Sequence, residues 1–155
     1  MKKYRGLEIK QIVKLMDEIM YSTDLTNNKH CYSRQLSNSS EVLTNDVVCL
    51  MTDDEKSFLL AIVDEDECTI EVEMWAGMNN KISFKDMIAY INALKGLLKD
   101  VAKRVEIIAS FRTTTSLPIM QRLIKRYNMT IEYMGEETED GYCVMNVIYE
   151  YPREY

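Results

Sequence analysis

In residues 7–21, LEIKQIVKLMDEIMY, the residues Ile9, Ile12, Val13, Met16, Ile19 and Met20 fall on one helical face and polar residues on the other. This spacing predicts an amphipathic helix. Residues 22–46 are polar and rich in Ser, Thr and Asn, and read as a long loop with one short helix near Glu41–Leu43. Three strand patterns follow in quick succession. Val47–Thr52 leads through DDEK to Ser57–Val63, and DEDE leads on to Cys68–Trp75. In the third, CTIEVEMW, Ile70, Val72 and Met74 alternate with Glu71, Glu73 and Trp75, which is the period of a strand. Short acidic turns between them predict an antiparallel meander.

The longest helical pattern covers 83–103. Ser83 stands at its N-cap position with Asp86 three residues on, and Phe84, Met87, Ile88, Ile91, Leu94, Leu98 and Val101 form its apolar stripe. Val105–Phe111, VEIIASF, reads as a central strand. Because a helix separates it from Cys68–Trp75, the two strands are expected side by side and parallel, splaying apart near Trp75. The RTTTS loop then leads to a helix capped by Ser116, with Pro118 in its first turn and Ile119, Met120, Leu123, Ile124 and Tyr127 as its buried stripe. Thr130–Met134 and Tyr142–Tyr151 close the chain as an antiparallel hairpin around GEETEDG. The order predicts a single α/β domain over 1–155, with a mixed, mostly antiparallel sheet flanked by helices.

Composition adds limits. The 155 residues are 46% hydrophobic and 28% charged, ordinary globular usage, and 5 Gly with 2 Pro exclude collagen-like and Pro-rich designs. No apolar run reaches the roughly 18 residues of a membrane span. MKKYRGLEIK carries no apolar segment of a secretory signal, so a reducing cytoplasmic setting is expected. Cys31, Cys49, Cys68 and Cys143 form no CxxC pair, and no metal site is expected; the last three lie in strand-like segments and read as small core residues.

The net charge is −6, but residues 81–126 hold 10 basic and 3 acidic groups inside an otherwise acidic chain. That balance argues against general nucleic-acid binding. Lys95, Lys99 and Lys103 with Arg122, Lys125 and Arg126 are placed to share a basic patch if their helices are neighbours.

MQRLIKRYNM, residues 120–129, lies between two strands and ahead of the hairpin GEETEDGYCVMNVIYEY, and YRGLEIKQIVKLM looks like a short strand leading into a first helix. In this order and these segments the chain resembles the GNAT acetyltransferase superfamily. The resemblance implies an acetyl-coenzyme A site where the strand Cys68–Trp75 runs into the 83–103 helix. Trp75, Met78, Asn79, Lys81 and Ser83 are the residues it implies for the cofactor, with Trp75 and Met78 at the splay.

The departures are equally specific. Family members carry a glycine-bearing R/Q-x-x-G-x-G/A loop whose backbone N–H groups cradle the pyrophosphate. Here the segment is WAGMNNKISFKDM, with Gly77 early and the next glycine at Gly96. The family's helix tyrosine falls on Ile124, and Tyr127 is one turn further on. Glu71 and Glu73 lie on the strand that in the family supplies a general base, but a polar strand face explains them as well. His30–Cys31 and the hydroxyl-rich Arg112–Ser116 loop carry no stronger chemistry, so no catalytic residue is assigned.

The expectation is therefore a GNAT-like module that no longer catalyses and needs no cofactor. It would serve in interaction or structure, for example as a viral or mobile-element accessory protein packaged in a particle. The alternative is a divergent N-acetyltransferase using acetyl-coenzyme A on an amine. Tyr149, Tyr151 and Tyr155 crowd the C-terminus. Tyr149 and Tyr151, with Trp75, are the expected contacts for a protein partner or self-association, on the premise that the last strand is a sheet edge.

Overall fold

The computed structural model describes residues 1–22 and 44–152. Most of the polar loop, the short helix expected near 41–43, His30, Cys31 and Tyr155 lie outside the described residues. Among the described residues seven strands form one mixed sheet: β1 Lys2–Arg5, β2 Val47–Met51, β3 Ser57–Asp64, β4 Thr69–Gly77, β5 Arg104–Arg112, β6 Thr130–Met134 and β7 Tyr142–Glu150. Their order is β1-β2-β3-β4-β5-β7-β6. Among the described residues three α-helices accompany them: α1 Val13–Tyr21, α2 Phe84–Gly96 and α3 Ser116–Arg126. Among the described residues, no helix is long and apolar enough to cross a membrane.

The chain divides into two compact units, Met1–Val63 with Glu73–Ala93, and Asp64–Val72 with Leu94–Tyr155. In the first, a 3-10 helix over Gly6–Ile12 runs directly into α1. The two together bury every residue of the expected face, from Ile9 to Met20. β2 is antiparallel to both β1 and β3. Its run VVCLM is buried at all five positions, because each face of the strand is covered. Val47, Cys49, Met51, Phe58 and Leu60 join the cluster under the 3-10 helix and α1. Ser57, Leu59 and Ala61 point the other way by strand alternation, and Tyr90 of α2 lies on that side, its hydroxyl bonded to Ser57.

In the second unit β5 is antiparallel to β7 along its whole length, and β7 is antiparallel to β6 on its other side. Val105, Ile107, Ala109 and Phe111 face the same way as Cys143, Met145 and Val147, and all are buried. α3 buries Leu117, Met120, Leu123 and Ile124 and packs against β5 and β6. β4 and β5 pair in parallel, as the intervening helix predicts; the ladder covers Thr69–Glu71 and Glu106–Ile108, while β4 runs on to Gly77 and β5 to Arg112.

Several expectations are corrected. α2 ends at Gly96, not at 103, since glycine is the weakest helix former after proline and looser turn bonds from Leu97 to Ala102 replace the helical ladder. Phe84, Val101 and Ile119, expected in buried stripes, are 53%, 60% and 40% exposed: Phe84 opens α2, Val101 lies beyond its end, and Ile119 falls to the side of the buried stripe Leu117, Met120, Leu123 and Ile124. The cap of α3 is Thr115, whose side chain makes no capping bond, and Ser116 is the first helical residue. Cys68 lies in the turn before β4 with φ at +55° and is half-buried. The largest correction concerns β7, which is an interior strand with β5 and β6 on its two sides. Among the described residues the sheet edges are β1 and β6.

Cys49 is wholly buried, and loss of hydration pushes its thiol up to about 12. A thiol so held is inert toward alkylation at mildly alkaline pH. Peptide mapping after iodoacetamide treatment should find Cys49 unlabelled in the native protein and labelled after denaturation. Labelling in the native state at the rate of the unfolded chain would contradict this burial.

Candidate functional site

The residues implied for a cofactor fall on one continuous stretch of the first unit, from the end of β4 to the start of α2. Trp75 is half-buried near the end of β4, and its ring meets Tyr90 edge-on, with centroids 5.3 Å apart at 70°. Tyr90 itself is fully buried. Its hydroxyl lies 2.7 Å from Ser57 Oγ, Ser57 Oγ lies 3.1 Å from Thr52 Oγ1, and Thr52 donates to Asp54 Oδ1 at 2.7 Å. This chain of hydroxyls runs from the core to a surface carboxylate. Burial holds the Tyr90 hydroxyl well above the usual 10, and the Thr52 hydroxyl holds Asp54 below the usual carboxylate value. The sequence pattern misses Tyr90 because its polar tip hides it among the apolar residues of α2; the i, i+4 line Tyr90–Leu94–Leu98 is the signal that finds it.

Beyond Trp75 the chain folds tightly. Gly77 is buried in extended backbone, and a Cβ there would overlap the Lys81 carbonyl and sit 2.7 Å from Ile82 Cγ1. Only glycine lets the loop return this closely on β4. Asn79 and Asn80 both take left-handed backbone, with φ at +55° and +61°. Asparagine enters that region more readily than other residues with a side chain.

The loop's backbone donors are engaged inside the unit. Met78 donates its N–H to the Lys56 carbonyl at 2.8 Å, Asn79 to Ser22 Oγ at 2.9 Å, and Lys81 to the Met78 carbonyl at 3.1 Å. Ser22, just past α1, donates its own hydroxyl to the Ile19 carbonyl at 2.6 Å. Met78 packs against the core under α1. Ser83 caps α2 as expected, accepting the Asp86 N–H at 3.1 Å through its hydroxyl and the Met87 N–H at 2.9 Å through its carbonyl. The side chains of Asn79, Lys81 and Ser83 are exposed. The structure thus places Trp75 and Met78 against the protein interior and turns the other three residues outward.

The remaining candidates lie elsewhere. Glu71 is exposed and Glu73 half-buried. In the second unit Ile124 is buried in α3, and Tyr127 follows it at the helix end. There Lys95 Nζ donates to the Tyr127 carbonyl at 3.3 Å and lies 4.4 Å from the centre of the Tyr149 ring. Burial lowers the Lys95 pKa. Lys95 therefore leaves the expected basic patch for contacts within the second unit, to the Tyr127 carbonyl and the Tyr149 ring, while Lys99, Lys103, Arg122, Lys125 and Arg126 remain exposed. Tyr149 and Tyr151 pack edge-on at 5.2 Å, and Tyr151 donates its N–H to the Lys103 carbonyl. These rings are half-buried by their own unit.

Arg112 donates to the Tyr142 hydroxyl at 3.1 Å, and Thr113 donates to Glu137 at 2.5 Å, which pins the hydroxyl-rich loop to the β6–β7 connection. A surface depression of about 410 Å³, lined by Arg5, Leu7, Glu8 and Asn45, shares none of the expected site residues. Among the described residues, no group of three or more His, Cys, Asp or Glu side chains is placed to hold a metal.

No protein-family model matches the sequence, and no curated protein does. Solved structures match the fold over nearly the whole chain. An acetyltransferase from Salmonella typhimurium that modifies the N-terminal serine of ribosomal protein L7/L12 has a TM-score of 0.65 at 9% identity, covering 97% of this chain and 94% of its own. A GNAT-family acetyltransferase from Bacillus cereus has a TM-score of 0.60 at 11% identity, covering 98% of each chain. An aminoglycoside 6'-N-acetyltransferase, solved in complex with coenzyme A, has a TM-score of 0.59 at 11% identity, covering 100% of each. The chain has the GNAT acetyltransferase fold.

Proposed function

We propose that this chain is a divergent N-acyltransferase that moves an acetyl group from acetyl-coenzyme A onto an amine. The observation that carries the reading is the full-length fold correspondence with acetyltransferases, one of them holding coenzyme A. The parallel β4–β5 ladder, confined to the early part of both strands, supports it. In this reading Lys81, exposed at the loop between β4 and α2, supplies charge to the cofactor's phosphates, and the N-terminus of α2 adds its dipole. Trp75 and Met78 supply apolar contact for the pantetheine arm. The amine's proton would leave through Glu73 or a water it holds.

One observation favours a second reading, a GNAT-like module that no longer catalyses. The backbone N–H groups of Met78, Asn79 and Lys81 are all donated within the protein, so a pyrophosphate there would have to displace those bonds. An accessory role in a particle or mobile element, with a protein partner meeting the Trp75 region, belongs to this second reading.

Titration calorimetry with acetyl-coenzyme A separates the two. Micromolar binding that falls on Lys81→Ala supports the transferase. Binding no tighter than millimolar decides for the module.

A further inference from the structure

Among the described residues β6 ends the sheet, with β7 as its one neighbour in the strand order. Thr130, Glu132, Tyr133 and Met134 are exposed, Tyr133 at 58%. Tyr133 lies opposite Asn146, on the same face as Val144, which is 36% exposed. Met134 lies on the other face, where Gln121 Nε2 approaches its sulfur at 3.3 Å. The edge thus presents apolar atoms on both faces of the sheet. Gly135 donates its N–H to the Val144 carbonyl at 2.9 Å, so by alternation the N–H and C=O of Met134 point away from β7. Unpaired groups of this kind beside an exposed Tyr form a template for another strand.

The charges on either side indicate which strand. Arg122, Lys125 and Arg126 precede β6, and Glu136, Glu137, Glu139 and Asp140 follow it, all exposed. A second copy of β6 laid antiparallel brings the basic end of each chain beside the acidic end of the other, twice over. A parallel copy would bring like charges together. A two-fold axis at Tyr133 sets Glu132 against Met134 of the other copy and keeps the two Glu132 carboxylates apart. The bulge between Ile131 and Tyr133 ends the regular edge on one side, so the pairing is short and closes as a pair. We propose that β6 is the interface of a two-fold homodimer, the two strands joined antiparallel, edge to edge.

Sedimentation equilibrium of the full chain tests this. The intact protein should dimerise at micromolar concentration, and more weakly at high salt. Met134→Pro removes an outward N–H while keeping the bonds to β7, and should yield a monomer with an unchanged circular dichroism spectrum. Arg126→Glu should weaken the dimer by about tenfold or more, and Arg126→Glu combined with Asp140→Lys should recover it. The second series keeps the test valid if the proline variant fails to fold. A strict monomer at every concentration overturns the proposal, as does a dimer indifferent to Arg126→Glu.

Discussion

Tyr90→Ala is expected to cost about 3–5 kcal/mol of unfolding free energy, since it removes a fully buried aromatic ring. At roughly 2–4 °C per kcal/mol for a chain of this size, that is a fall in Tm of about 6–20 °C. Tyr90 fills the space between α2 and β3, meets Trp75 edge-on, and ends the hydroxyl chain through Ser57 and Thr52. Tyr90→Phe isolates the last of these contributions. It keeps the ring and deletes one hydroxyl, for an expected loss of about 1 kcal/mol, because Ser57 retains Thr52 as a partner. Urea unfolding of both variants measures the difference. Equal losses would mean that the ring contributes little beyond its hydroxyl, and would contradict the packing described for this helix.

Gly77→Ala is expected to destabilise by about 1–3 kcal/mol although it adds one carbon. The obstacle is backbone: the added Cβ would overlap the carbonyl of Lys81, and neither β4 nor the start of α2 can retreat without breaking the Met78–Lys56 and Ser83–Asp86 bonds. The φ of −128° at Gly77 is open to any residue, so the loss comes from contact and not from conformational preference. A Gly77→Ala variant with an unchanged urea midpoint would show that the loop lies further from β4. In the transferase reading, the same variant should also weaken acetyl-coenzyme A binding, since it displaces Lys81.

How far the sequence reveals this arrangement depends on which force governs each segment. β6 is legible to the residue, Thr130–Met134, because a helix stop precedes it and an acidic, glycine-flanked loop follows. The stop is local chemistry: Asn128 turns left-handed at +62°, and Met129 donates back to the Ile124 carbonyl. The buried face of α1 is legible for the same reason, since its period needs no knowledge of what it packs against. The interior place of β7 is not legible. A final hairpin reads the same whether its last strand lies at the edge or inserts beside β5, and only the long-range pairing of Arg104–Arg112 with Tyr142–Glu150 decides it. The hydrogen bonds that occupy the Met78–Lys81 donors are hidden too, because Lys56 and Ser22 come from distant parts of the chain.

The paired asparagines at 79 and 80 bear on how such a loop can change over evolutionary time. Both already hold the backbone shape that glycine adopts most easily. Exchanging either one for glycine leaves the path of the chain intact and strips away only a side chain. A loop of this shape can therefore gain or lose glycine at these two positions one at a time, each step leaving the turn's backbone shape as it is.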